Sequence, residues 1–486
     1  MANRYWVGGT GTWDASSTTN WSATSGGASG ASAPTINDSA FFDSLSGTGT
    51  CTTASGAVCT ALTMNSSTLG LTLGADLTMA NAFTLTLGAV NLVSYNLTCG
   101  YTVASNTNVR SIAFGTGRIT LTAGNGLNVW GTGNATNFSY TGSGDIYATY
   151  AGAGPGGRNL YHGTTAGATE ANTPNFYVTA GTDTVSLFYV KKLDFTGFAG
   201  TLDTAARFIY GDLTLSSGMT LSATANATTF QSTSGTPRVI ASNGKTLDCP
   251  VTFNGAGGSW TLADALTVGS TRTLTLTNGT LNGSGQNVSL GSFALGSGTK
   301  TLTLGTGTWT VTGANWNANT NVAGLTVSAS TGTISMTSSS AKIFSGGAKT
   351  WPTLNQGGSG ALTVRQSNTF ANITNSVQPA TITLTSGTTQ TVTNFTASGT
   401  SGNLITLNSS TPGSRATLLD NSGTVSVSYM SITDIAATGS ADWQSYTSNG
   451  NVDAGNNIGW EFINPVPVIA IEYPVEFRSF TEKRRF

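Results

Sequence analysis

Side chains able to do chemistry are sparse in this chain of 486 residues, and they concentrate in one stretch. Residues 136–212 contain Tyr140, Tyr147, Tyr150, Tyr161, Tyr177, Tyr189 and Tyr210, a majority of the 13 tyrosines. The same stretch holds Glu170, Asp183, Asp194, Asp203 and Asp212. Cleaving a glycosidic bond generally takes two carboxyl groups roughly 5–10 Å apart. Neighbouring rungs of a stacked fold would bring two of these five together, so Glu170, Asp183, Asp194, Asp203 and Asp212 are the catalytic candidates if the chain cuts a glycan. Tyr161, Tyr177, Tyr189 and Tyr210 are the glycan-binding candidates, since tyrosine offers a flat apolar face and a polar tip. The competing readings are plain: Asp183 in Gly-Thr-Asp-Thr and Asp212 in Tyr-Gly-Asp-Leu look like turn residues, and the tyrosines equally suit a core or an interchain contact. The expectation is a protein that is not an enzyme.

Other chemistries find little support. His162 is the single histidine, which leaves no histidine triad and no histidine-rich metal site, and its Tyr-His-Gly context suggests a surface loop. Gly142-Ser143-Gly144-Asp145 hints at a calcium repeat but occurs once. Gly8–Gly11 lacks the lysine of a phosphate loop. Cys51, Cys59, Cys99 and Cys249 lack the CxxC spacing of a metal or redox site. Cys51 and Cys59 are close enough in sequence to pair, but buried free thiols are the reading preferred for a chain without a secretion signal. No cofactor and no metal is expected.

The elements that must position these residues are short strands. Runs such as Gly70-Leu71-Thr72-Leu73-Gly74, Phe83–Gly88 and Lys300–Gly305 alternate Leu with Thr, the signature of a strand buried on one face. Glycines and Asn-Gly pairs supply turns between them. No sustained helical period exists. The pattern spans about 55–430, which predicts an all-β, right-handed parallel β-helix. Leu positions echo at 14 residues (Leu276, Leu290, Leu304) and the Leu-Thr-Leu runs at 274–276 and 302–304 lie 28 apart, which agrees with turns of roughly 20–30 residues. At ~22 residues per turn this gives about 18 rungs and a rod on the order of 85–90 Å.

Five regions follow. Residues 1–50, with Trp6, Trp13, Trp21 and Phe41-Phe42, read as an aromatic cap or attachment region over the first rung. Residues 51–135 are the first part of the helix. Residues 136–212 are the aromatic and acidic insertion or binding region. Residues 213–462 are the shaft, with Trp443 and Trp460 closing its end. Residues 463–486 open with prolines, alternate apolar residues and finish basic, which reads as an extended arm.

Charged residues make up 8% of the chain and the net charge is -1. No basic field exists to hold a nucleic-acid backbone. The sequence around Met1–Gly9 lacks the apolar core of a secretory signal, and no run has the ~18 apolar residues of a membrane helix. No nucleic-acid partner and no membrane insertion are expected. Between Asp264 and Asp420 there is no acidic residue. That flank suits stacked ladders of Thr, Ser and Asn, and 265–419 is the expected contact surface between chains.

The Trp6-Val7-Gly8-Gly9-Thr10-Gly11-Thr12-Trp13-Asp14 run, continued to Asn20-Trp21, resembles the opening of many phage-encoded β-helix proteins. It is also similar to the strand repeats of autotransporter passengers. The stretch from about 297 to 462 resembles a module frequent in tailed-phage proteins, on the runs Ser338–Gly347, Ser401–Leu407 and Gly459-Trp460-Glu461-Phe462. Glu476-Phe477-Arg478-Ser479-Phe480 is like the tail ends of some phage structural proteins. The resemblance implies a structural virion protein: a fibre, spike or head-decoration rod, assembled in the host cytoplasm and exposed on the particle. It implies a homotrimer bound to other capsid or tail proteins through a terminal segment, and a host cell-surface glycan as a possible ligand. Tyr473, Phe477, Arg478, Phe480, Arg484, Arg485 and Phe486 are the virion-anchor candidates. The alternatives are a glycan-depolymerase tailspike and a surface adhesin of autotransporter type; the absence of a signal and of a membrane barrel departs from the latter.

Overall fold

The computed structural model describes residues 1–124, 126–153 and 156–463. The arm and its anchor candidates, from Tyr473 to Phe486, lie outside the described residues. Within them the chain is an all-β solenoid of about 19 turns, with 48% of residues in strands and 1% in helix.

The Leu/Thr alternation produces this directly. Leu69–Leu73 buries Leu69, Leu71 and Leu73 and turns Gly70 and Thr72 outward. Ala380–Leu384 does the same with Ala380, Ile382 and Leu384. Each strand then hydrogen-bonds to its counterpart one turn later, in parallel. One ladder runs through Phe83 and Thr102, Thr102 and Trp130, Trp130 and Leu160, and Leu160 and Leu187. A second joins Cys51 to Leu71, Leu71 to Val90 and Val90 to Ile112. A third joins Leu97, Ile119, Ile146, Phe176, Leu193 and Leu213. The inward residues of all turns form one continuous apolar core from Trp6 to Trp460.

Turn length varies. In-register partners on successive turns stand from 17 positions apart (Phe176 and Leu193) to 40 (Gly11 and Cys51). The 14-residue leucine echo is therefore not a turn. Leu276 stacks on Leu295, and Leu302 stacks on Leu281, so the echo counts neighbouring sides of one coil.

Both ends carry aromatics. At the amino end Trp6 and Trp13 each meet Trp21 edge-on at 5.2 Å, with Phe42 beneath. At the other end Trp443 and Trp460 pack at 4.9 Å. Along the shaft the outward polar residues form ladders. Asn278 donates to Asn254 at 2.8 Å, Asn355 donates to Ser335 and Ser376, and Thr383 donates to Asn408 at 2.7 Å.

Several inward positions are cationic, a feature the alternation does not announce. The Arg110 guanidinium donates to the carbonyls of Asn106, Asn108, Asn134 and Thr136. Lys342 Nζ donates to the carbonyls of Ser338, Gly358 and Gly360, and burial pulls its pKa down to about 8. Turn carbonyls that would otherwise be buried unpaired are thereby satisfied. The four cysteines are buried free thiols, so Cys51 and Cys59 form no clamp. Desolvation pushes the Cys59 thiol up to about 12, which leaves it inert.

Candidate functional site

Residues 136–212 sit on all three sides of the coil, so the fold distributes them rather than gathering them. Asp183 is fully enclosed: its carboxylate meets Arg158 through Nε at 2.9 Å and Nη2 at 2.8 Å, with both side chains 0% exposed. The remaining Arg158 donors take the carbonyls of Ala148 and Ala180. This is a structural ion pair closed off from any substrate.

The other carboxylates are engaged in turns and corners. Asp194 accepts from the Thr196 amide at 3.0 Å and the Thr196 hydroxyl at 2.6 Å, and pairs with Lys192 at 3.6 Å. Asp203 accepts from the Ala205 amide and lies 3.8 Å from Arg207. Asp212 accepts from the Val239 amide at 2.9 Å. Glu170 accepts from Ser232 Oγ, the Thr233 amide and Thr233 Oγ1 at 2.7–2.9 Å. Burial acts to raise its pKa, but those three bonds and Arg238 outweigh burial and hold it below the ordinary value.

His162 corrects an expectation. It is not on a surface loop but on the strand Arg158–Ala166, pointing inward and fully buried. Its Nε2 lies 3.4 Å from Asn172 Oδ1, its Nδ1 has no partner, and Phe138 meets it edge-on at 5.8 Å. Burial pulls the imidazole down to about 4, so it is neutral at pH 7.

The four tyrosines fare differently from one another. Tyr177 stacks on Tyr147 at 4.5 Å and 8° between planes, and Lys192 Nζ sits 4.8 Å from the Tyr177 centroid. Arg118 lies 4.7 Å from the Tyr147 ring. This column of Arg118, Tyr147, Tyr177 and Lys192 spends its ring faces internally, and a sugar would find only edges. Tyr189 stacks on Phe208 at 4.7 Å and lies 6.1 Å from Tyr210. Tyr161 lies on another side of the coil, so the four candidates do not share one surface.

Tyr161 flanks a groove. Along its ladder the in-register neighbour is Gly131, and beyond that Val103. A side chain at Gly131 would meet the Thr102 carbonyl at 2.6 Å, so close approach of the turns requires glycine there. The missing side chain opens a groove of about 420 Å³, with Tyr101 and Tyr161 at its borders and Gly131 and Gly133 among its lining. Val103 and Leu127, 45% and 41% exposed, add apolar surface, and Asn128, Ser105 and Thr164 add hydrogen-bonding groups. None of the lining residues is charged. Tyr101, Val103 and Leu127 escaped the sequence reading because they fall outside the tyrosine-rich block; only the register, across two turns of unequal length, brings them to Tyr161.

Among the described residues no cluster of three or more His, Cys, Asp or Glu forms a metal site, and no helix is long and apolar enough to cross a membrane. Comparison with protein-family profiles, with curated proteins and with solved structures finds no match.

Proposed function

We propose that this chain is a structural protein of a tailed-phage particle, a stiff rod of the fibre, spike or head-decoration kind, that presents a neutral-glycan groove on its flank. The observation that carries the reading is the single apolar core that runs from Trp6 to Trp460 through the described residues. A β-helix of this form is consistent with a fibre, a spike or an adhesin. The phage setting rests on the resemblance of the Trp6–Trp21 and 297–462 segments. A homotrimer, closed through the charge-poor flank 265–419, and a terminal segment bound to other particle proteins complete the proposal.

The groove between Tyr101 and Tyr161 supports the glycan part. A tyrosine ring beside a glycine, uncharged surroundings and several hydroxyl and amide groups suit a neutral hexose. The depolymerase reading lacks comparable support, because each carboxylate it needs already serves a turn, a corner or an ion pair.

A panel of neutral hexose oligosaccharides, titrated against the purified chain, tests this. Binding is expected to one or more of them, and Tyr161→Ala is expected to weaken it about tenfold or more, roughly 1.4 kcal/mol. Tyr177→Ala, whose ring faces are already stacked, is expected to leave affinity unchanged. Equal loss in both variants, or binding indifferent to Tyr161, would contradict the assignment. Gold-labelled antibody against the chain is expected on the outside of phage particles; label confined to host cell lysate would contradict the setting.

A further inference from the structure

We infer that residues 167–173 form a longitudinal strap, latched by Glu170, that braces the rod where its rungs are shortest. The strands between 184 and 230 are brief: Tyr189–Val190, Leu193–Asp194, Thr201–Leu202, Leu213–Thr214 and Thr220–Leu221 have 2 residues each. Downstream, Val251–Leu262 has 12 and Thr273–Asn282 has 10. Strand pairs here hold two in-register residues each, against seven where Val251–Leu262 meets Thr273–Asn282, so fewer side chains stack from turn to turn.

The strap crosses that segment. Its root is tied locally: Asn172 Oδ1 accepts from the Thr169 amide, Asn172 Nδ2 donates to the Gly167 carbonyl, and Thr173 Oγ1 donates to the Thr169 carbonyl. Tyr140 adds a bond from its hydroxyl to the Thr173 carbonyl at 3.0 Å. The tip reaches much further. Glu170 bonds Ser232 and Thr233, which lie 62 and 63 residues on in sequence. The turns between are those of Tyr189, Phe208 and Tyr210, the stacked outward aromatics. Ala168 and Tyr189 both crowd the space above Gly163, and the Glu170 charge is felt at Tyr210. The strap therefore lies along this aromatic row, and Arg238, 3.9 Å from Glu170, adds an ion pair at the landing point.

Ordinary rung-to-rung bonds join one turn to the next. This tie skips turns, so it resists separation of the short rungs as a group. It stands independently of whether the rod binds a glycan.

Hydrogen exchange of the full chain tests it, read segment by segment at neutral pH. Glu170→Gln keeps the shape of the side chain and removes its charge and one acceptor role. Amides of 184–230 are expected to exchange at least tenfold faster in Glu170→Gln than in the wild type, while those of 251–282 stay unchanged. Reaction of Tyr210 with N-acetylimidazole is expected to rise in parallel. Unchanged exchange over 184–230, or a uniform rise along the whole rod, would overturn the inference. Thr233→Val, which removes one of the three bonds and keeps the backbone contact, gives the second measurement should Glu170→Gln fail to fold. It is expected to give an intermediate increase confined to the same segment, and no increase would overturn the inference.

Discussion

At the scale of single residues, the groups with the most chemical potential have been used to hold the fold together. Asp183 and Arg158 neutralise each other inside the coil, and Arg110 and Lys342 bind turn carbonyls. His162 has a measurable consequence. Its folded-state pKa of about 4 lies below the usual value near 6.5, so the unfolded chain takes up the proton first. The stability this neutral histidine contributes is complete above pH 6.5 and falls away as the pH drops from 6.5 to 4. The gap corresponds to roughly 3 kcal/mol. Urea unfolding of wild type is expected to show a steep loss of stability across that window. In His162→Gln, which keeps a donor toward Asn172, a visibly smaller loss is expected. Identical pH profiles would show that His162 is not the titrating group. That this histidine is buried was not legible in Tyr-His-Gly, because the three residues give no sign of which face of the strand Arg158–Ala166 carries the ring.

At the scale of strands and faces, the sequence was most informative. Leu/Thr alternation is a direct record of inward and outward positions, and the burial of Leu69, Leu71 and Leu73 follows it residue by residue. The tryptophans at each end pack together as well, Trp6 and Trp13 on Trp21 and Trp443 on Trp460. Register was hidden. Whether Tyr161 would meet Tyr177 depended on turn lengths that range from 17 to 40 residues, and glycine-rich turns leave those lengths open. The groove at Tyr101 and Tyr161 and the strap at Glu170 both arise from register. The charge-poor flank supports one further prediction. Its outward columns run through Thr308, Thr333, Thr353 and Asn372, and through Thr310, Ser335, Asn355 and Thr374. These columns of uncharged polar side chains are expected to bury themselves against two further copies. Light scattering should report three times the 49.3 kDa chain mass, and Thr310→Asp with Thr353→Asp should shift it toward one. A wild-type chain that stays at a single mass would contradict the trimer.

At the scale of the whole molecule, the consequence of stacking is reach and stiffness. Each turn adds about 4.8 Å, so about 19 turns give a rod of roughly 90 Å. Because every inward side chain packs on turns before and after it, bending at one turn disturbs its neighbours, and the load is shared along one core. Stiffness then comes from the fold itself, with the strap reinforcing the thinnest part. The most direct measurement is single-particle electron cryomicroscopy of the purified chain. The account predicts an unbroken rod of roughly 90 Å whose layers repeat at ~4.8 Å from the tryptophan cap at Trp6 to the one at Trp460. Separate compact lobes, each with its own core, or a layer spacing that breaks off partway along the chain, would contradict it.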